Sequence, residues 1–397
     1  MLMVRDNFPI LKKDGIYFDN ACQSLRPQSV IDAITSYYTD YSACAGRSSH
    51  HYAELVTHRY EESRQIIANF LNAKRKEEII FTKNTTEGIN LVAHSLGLKK
   101  EDVVITTDKE HNSNLIPWQV LKEKIGIKHI IIPSKIDNTF DIENYKKALD
   151  NIKVKLVSFV MTSNLDGVTI PVKKIVELAH KKGALVLLDA AQAVPHQKVD
   201  VQNLDCDFLA FSGHKILGPS GTGVLYGKYK LLEELSPFMV GGDTVSASTY
   251  TSCKFLPPPE KFEAGLQDYA GIIGLGEAVK YINKAGFDFI QKQELVLNKY
   301  ITSELQNIPN LTIIGPSDPE KRGGIISFYI PNKDHHQIAL MLDETAKIMV
   351  RSGQHCVHSW FDTKNISGSV RASVYFYNTI EEAEVFVREL KKICFVL

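Results

Sequence analysis

Short apolar runs recur along the chain, separated by stretches whose apolar residues fall three or four apart. Glu78–Thr82, Val103–Thr107, His129–Ile132, Lys155–Met161, Ala184–Leu188, Phe208–Phe211 and Gly223–Tyr226 read as strands. Helices are predicted over Val30–Tyr41, Glu54–Leu71, Asp141–Leu149 and Pro171–Lys182. Another is opened by Asn84, Thr85 and Thr86, with Ile89, Val92, Ala93 and Leu96 on one stripe, and a further one runs from just after His111 through Trp118. Near-continuous apolar strands alternating with amphipathic helices predict an α/β fold whose mostly parallel sheet is covered on both faces. A short strand-like run, Ile16–Asn20, precedes this series.

Past Gly241 and Gly242 the pattern changes. Lys254–Lys261 is rich in proline, and a long helical region then runs from about Tyr269 to Leu305. A domain boundary is expected inside that region. This gives an N-terminal segment, 1–20, packed with the smaller domain, a large domain over 21–283, and a small one over 284–397. The small domain reads as α+β. Its strands are expected near Leu311–Ile314, Gly324–Ile330, Ile348–Arg351 and Val370–Tyr377, and its helices near His335–Leu342 and Glu381–Lys392.

Composition narrows the function classes. The 397 residues carry 46 basic and 46 acidic side chains, and the zero balance gives no electrostatic case for nucleic acid or a membrane surface. No apolar run approaches the roughly 18–20 residues of a spanning helix, and the charged, proline-broken N-terminus has no signal-peptide core. Six scattered cysteines without a C-x-x-C pair read as reduced thiols in a cytoplasmic compartment.

Candidate chemistry clusters at strand ends. In DFLAFSGHKILGPSGTG an apolar strand runs up to Ser212, and Lys215 follows His214. A lysine whose pKa is lowered by burial or a neighbouring cation becomes a nucleophile able to form a Schiff base, and the glycines after it let backbone approach a bulky group. Asp189, after five apolar residues, needs a partner such as a protonated pyridine nitrogen, or else caps the next helix. Gln192 offers an amide one turn on. Thr85 and Thr86, with the free N–H groups of the helix they open, make an anion site suited to phosphate, or else Asn84 or Thr85 is a plain helix cap. His111 lies just past a strand's carboxyl end, where open α/β sheets bind ligands. In RSGQHCVHSWF, Cys356 lies between His355 and His358, and nearby imidazoles favour the thiolate. A metal site there lacks the paired spacing of structural zinc. Arg371 suits a carboxylate through two parallel hydrogen bonds, and Arg47 is the one strong cation of a polar loop.

Together these residues offer a phosphate site, a stacking imidazole, a buried carboxylate, a ring-hydroxyl partner and a Schiff-base lysine, which are the needs of pyridoxal 5'-phosphate. The chain resembles the class V aminotransferases of pyridoxal-phosphate fold type I, and within them the group II cysteine desulfurases and selenocysteine lyases. The resemblance rests on YFDNAC, NTTEGINLVAHSL, EHNSNLIPW, LLDAAQAV, FSGHKILGPSGTGVLYG, FEAG, GIIGLGEAV, RSGQHC and VRASVYFYNTIEEAE, which span nearly the whole chain. It implies a seven-stranded sheet in the large domain and a homodimer. It implies a Schiff base at Lys215, Asp189 at the pyridine nitrogen, His111 on the ring and Gln192 at the ring hydroxyl. Thr85, Thr86, Ser212 and His214 would hold the phosphate, Asn164 would touch the cofactor and, with Arg371, bind the substrate carboxylate, and Arg47 would lie at the mouth. Cys356 would accept sulfur from L-cysteine and pass it to an acceptor protein, as in iron–sulfur cluster assembly, with L-selenocysteine as the alternative amino-acid substrate.

Three positions depart from the family pattern. Leu266, Gln267 and Asp268 follow FEAG where Thr-Pro is usual, Gly46 precedes Arg47 where histidine is frequent, and Val-His-Ser-Trp follows Cys356. Two alternatives stay open: another enzyme of the same fold, such as an aminotransferase or a different amino-acid lyase, and a non-catalytic sulfur-relay scaffold. A dinucleotide-binding reading of GPSGTG fails, because strand follows it where that motif must open a helix.

Overall fold

The computed structural model describes residues 2–396. Seven strands form the main sheet: β1 (Ile79–Thr82), β2 (Val103–Thr107), β3 (Lys128–Ile132), β4 (Val154–Val160), β5 (Leu185–Asp189), β6 (Phe208–Ser212) and β7 (Gly223–Gly227). Their spatial order is β1-β7-β6-β5-β4-β2-β3. Only β7 runs antiparallel to its neighbours. The central strands β5, β6 and β7 are almost wholly buried, which is why they read as unbroken apolar runs and not as alternation. Apolar cores lie on both faces, one including Val186, Leu188, Leu209 and Phe211, the other Leu187, Phe208, Ala210 and Leu225.

The sheet brings the chemistry to one edge because parallel strands end together. Asp189 closes β5 in register with Val160 and Ala210, and Ser212 closes β6 opposite Gly223. Gly223 also pairs with Thr82. A Cβ there would meet the Asn84 backbone at 2.6 Å, so glycine lets the N-terminus of helix Thr85–Ser95 sit directly on the strand ends.

The second sheet has four antiparallel strands, β8 (Thr312–Ile313), β9 (Ile325–Tyr329), β10 (Arg351–Gly353) and β11 (Ser369–Ser373), in the order β8-β9-β11-β10. Helices Phe287–Leu305, His335–Ala346 and Ile380–Val396 pack against it. Ile16–Tyr17 pairs in parallel with Ile348–Met349, and Phe18 joins the same core as Leu297 and Phe386.

Several boundaries differ from the sequence expectation. The single helical region expected over 269–305 is two helices, Tyr269–Ala285 and Phe287–Leu305, broken at Gly286 with φ +80°. The strand expected over Ile348–Arg351 divides between two sheets, Ile348–Met349 and β10. β11 stops at Ser373, because Val374 to Tyr377 turn away into the core. There Tyr375 donates to the Pro195 carbonyl at 2.7 Å, and Tyr377 meets the Asn20 side chain. Helix His358–Lys364 and the exposed hairpin Val245–Ser248/Cys253–Phe255 were not foreseen.

Candidate active site

A cavity of about 270 Å³ opens where the carboxyl ends of β4, β5 and β6 face the second sheet. The helix Thr85–Ser95 aims its N-terminus at it. Asn84 caps that helix by accepting from the Glu87 amide at 3.0 Å, which leaves Thr85 and Thr86 free for other partners. Ser212 Oγ lies 2.7 Å from Thr85 Oγ1 and accepts from the Thr85 amide at 2.9 Å, while Thr86 Oγ1 lies 2.6 Å from Ser113 Oγ. Hydroxyls gathered at a helix N-terminus form an anion site. The cap of this helix is thus Asn84, and Thr85 and Thr86 line the cavity.

Deeper in, Asp189 is buried and accepts from the Ala191 amide at 3.0 Å. Turns and not a helix come after it, so its capping alternative falls away. Burial pushes its carboxyl up, against the pull of that N–H and of Lys215. Lys215 ends the tight turn Gly213–Lys215, and burial pushes its amine below the usual value despite the attraction of Asp189. Opposite, His111 caps helix Asn112–Ile125, its Nδ1 accepting from the Ser113 amide at 3.0 Å. Burial, with Lys215 and Arg371 nearby, pushes this imidazole down to about 3, so the ring is neutral and can stack. Burial likewise pushes His214 down to about 4.

The far wall comes from the second sheet. Arg371 on β11 donates to the Asn164 carbonyl at 3.0 Å and to Asp19 at 3.3 Å, while its Nε is buried without a partner. Asn164 Oδ1 and Gln192 Oε1 are buried and unpartnered too, although Gln192 donates to the Ala21 carbonyl at 2.6 Å. His355 Nδ1 is a fourth such atom; unsatisfied buried polar atoms are expensive, and four of them on residues lining one cavity point to a polar ligand. Cys356 reaches the cavity on a loop where His355 and Cys356 both take positive φ, 49° and 59°. The loop is tied down by Asn164, which donates to the His355 carbonyl at 2.8 Å, and by the Asn112 amide, which donates to the Cys356 carbonyl at 2.8 Å.

Every site residue expected from the sequence lines this cavity except Arg47. Arg47 is half exposed and paired with Asp243. His355 is a correction. Its Nε2 bonds Ser369 Oγ at 2.8 Å, and burial with Arg371 and Arg351 holds it far below its usual value, so it supplies no charge to Cys356. His358 instead opens the next helix, bonding Asn112 at 2.9 Å. Sequence reasoning missed Ser113, Arg351 and Cys22 in the lining. No group of three potential metal ligands occurs among the described residues. A cavity of about 530 Å³ beyond Gln192 contains neither Lys215 nor a cysteine.

A model of the family Aminotransferase class-V matches residues 16–386. The chain belongs to that family. It is 42% identical to a probable cysteine desulfurase of Pyrococcus abyssi, over 98% of this chain and 96% of the relative. An apo structure of cysteine desulfurase from Thermococcus onnurineus NA1 superposes with a TM-score of 0.96 at 39% identity, covering 100% of this chain and 98% of that one. The cysteine desulfurase CsdA of Escherichia coli, solved in an S-sulfonic acid form, gives a TM-score of 0.91 at 30% identity, with 100% and 98% covered. Among the described residues no helix is long and apolar enough to cross a membrane.

Proposed function

We propose that the chain is a pyridoxal-phosphate-dependent cysteine desulfurase, converting L-cysteine to L-alanine and leaving the sulfur on Cys356. The observation that carries this reading is the meeting of the Lys215 amine, the buried Asp189 carboxylate and the Cys356 thiol in one cavity. The cysteine desulfurases matched over nearly the whole chain support it.

The residues fit the cofactor on their own chemistry. Thr85, Thr86, Ser212 and His214 would hold the phosphate, with Ser113 completing the hydroxyl cluster. Asp189 would pair with the ring nitrogen, His111 would lie on the ring, and the orphaned Gln192 oxygen would meet the ring hydroxyl. Lys215 would carry the cofactor covalently. When bound, it supplies an electron sink at the substrate's α-carbon.

The protein's own part is positioning and proton transfer. Arg371 binds the substrate carboxylate through its unpartnered Nε–H, and Asn164 lies beside it with a free Oδ1 that can accept from a substrate N–H. The Lys215 amine, kept from easy protonation by burial, takes the α-proton. The Cys356 thiolate attacks the substrate sulfur, and the carbon–sulfur bond breaks with its electron pair left on the carbon skeleton. Protonation of that carbon and return of the proton held by Lys215 to the α-carbon complete alanine, and Cys356 holds the sulfur as a persulfide.

Homodimerisation, delivery to an acceptor protein feeding iron–sulfur cluster assembly, and a cytoplasmic setting belong to the same reading. So does the division into 1–20, 21–283 and 284–397, supported by Phe18 packing in the second sheet's core. Incubation with L-cysteine under reducing conditions tests the reading. Alanine and sulfide are expected in equal amounts, and full activity of Cys356→Ala would overturn the persulfide step.

A further inference from the structure

The cavity holds a second thiol. Cys22 lines it together with Cys356 and Lys215, whereas Cys44, Cys206, Cys253 and Cys394 do not. Cys22 ends a turn whose amide donates back to the Asp19 carbonyl at 3.1 Å. That turn is pinned from both sides: the Phe18 amide donates to Met349, the Ser373 amide donates to Phe18, and the Ala21 amide donates to Ser373 Oγ at 2.9 Å. Its position is therefore set by the same strands that carry Arg371 and the cysteine loop.

Arg351 makes the link explicit. Its Nη1 donates to Cys22 Sγ at 3.0 Å, and β10, which begins at Arg351, runs directly into His355 and Cys356. A six-residue segment, 351–356, thus supplies both the cation beside one sulfur and the other sulfur itself. Arg371 adds a second guanidinium on this side, balanced in part by Asp19, which lies 3.3 Å from Arg371 and 3.9 Å from Arg351. Both sulfurs line one cavity of about 270 Å³. A persulfide extends the reach of a cysteine by about 2 Å.

We propose that Cys22 is a second sulfur carrier, taking the outer sulfur from the Cys356 persulfide and freeing Cys356 for another turnover. The inference rests on the desulfurase reading. The Cys22 thiolate attacks the terminal sulfur of Cys356–S–SH. The sulfur–sulfur bond at Cys356 breaks with its electron pair going to Cys356 as thiolate, and a new sulfur–sulfur bond forms on Cys22. The transferred sulfur keeps its oxidation level and the charge is conserved, so no external oxidant or reductant enters. Arg351 stands beside the sulfur anion that Cys22 carries before and after transfer. A chain lacking an acceptor then stores twice the sulfur that Cys356 alone would hold.

The test loads cofactor-bound enzyme with L-cysteine without reductant, alkylates it, and reads added sulfur on each cysteine peptide by mass spectrometry. Wild type is expected to carry sulfur on both the Cys22 and Cys356 peptides and to release a burst of alanine twice that of Cys22→Ser. Cys22→Ser and Cys22→Ala, each verified by the bound-cofactor absorbance, should carry sulfur on Cys356 only, and Cys356→Ala on neither. A wild-type Cys22 peptide without sulfur, beside a charged Cys356 peptide, overturns the relay and leaves the desulfurase reading intact. Sulfur on Cys22 in Cys356→Ala also overturns it, since Cys22 then loads without passage through Cys356. An uncharged Cys356 in wild type instead overturns the underlying reading, and the relay with it.

Discussion

The side-chain amide of Asn164 donates to the backbone carbonyl of His355 at 2.8 Å, tying the loop after the central strand β4 to the loop that carries Cys356. Asn164 also offers its own carbonyl to Arg371. One residue thus holds Cys356, the proposed sulfur acceptor, and Arg371, the proposed carboxylate ligand, to the main sheet, in a stretch where two consecutive non-glycine residues are kept at positive φ. Asn164→Ala releases a strained loop and leaves a buried carbonyl unpaired, which costs about 1–3 kcal/mol. Hydrogen exchange over 353–358 should rise in this variant and turnover should fall, while the bound-cofactor absorbance stays. An unchanged exchange rate would show that the loop is held by other contacts.

Lys215→Ala should lose both the cofactor's covalent absorbance band and turnover, the latter by at least about a thousandfold, because in the proposed reading one amine serves as anchor and base. Borohydride treatment followed by mass spectrometry should place the adduct on the Lys215 peptide in wild type and nowhere in the variant. Asp189→Asn should retain some bound cofactor but lower turnover by more than about a hundredfold, since a neutral amide cannot hold a ring nitrogen protonated.

The ends of β5 and β6 were legible in the sequence because burial on both faces leaves no polar residue inside these two strands. The first charged or hydroxylic residue after each apolar run, Asp189 or Ser212, therefore marks the sheet's carboxyl edge. The contribution of the second sheet was less legible. Arg371 stood out as a charge in an apolar run, but Arg351 and Cys22 meet only through pairing of Ile16–Tyr17 with Ile348–Met349, a contact more than 300 residues apart in sequence. His355 was misjudged because adjacency in sequence says nothing about which way a ring points. It points to Ser369.

Stability should fall as the pH drops below about 6.5, the ordinary value of an imidazole. His111 and His355 both titrate well below their usual value when folded, for the most part because burial disfavours the imidazolium. Between the unfolded and folded pKa values the unfolded chain binds more protons, so protonation favours unfolding, by at most about 1.4 kcal/mol per group per pH unit. Glu110 acts in the opposite sense. Burial pushes it up to about 8, so its contribution is fully present below its ordinary value of 4.5 and is lost as pH rises through 8. Urea unfolding at pH 7 and pH 5 should give a smaller difference in His355→Gln than in wild type. Equal differences would mean that His355 titrates normally.

The glutamate of the FEAG run, Glu263, acts away from the cavity. Its carboxylate takes two hydrogen bonds from Arg64, at 2.7 and 2.8 Å, one from the Phe81 amide at 2.7 Å, and one from the Tyr60 hydroxyl at 2.9 Å. Arg64 also donates to the Ile79 carbonyl at 2.7 Å. Helix His51–Leu71 and edge strand β1 are thereby locked to the segment that precedes helix Tyr269–Ala285, and β1 leads into the proposed phosphate-binding turn. All the groups are buried, so removing Arg64 strands an uncompensated carboxylate. Arg64→Met should destabilise the chain by about 3–5 kcal/mol, and Arg64→Met with Glu263→Leu by clearly less, because the pair's main cost when broken is the orphaned charge. Equilibrium unfolding of the two variants checks this. A double variant as unstable as the single one would show that Glu263 is held by Phe81 and Tyr60 without Arg64.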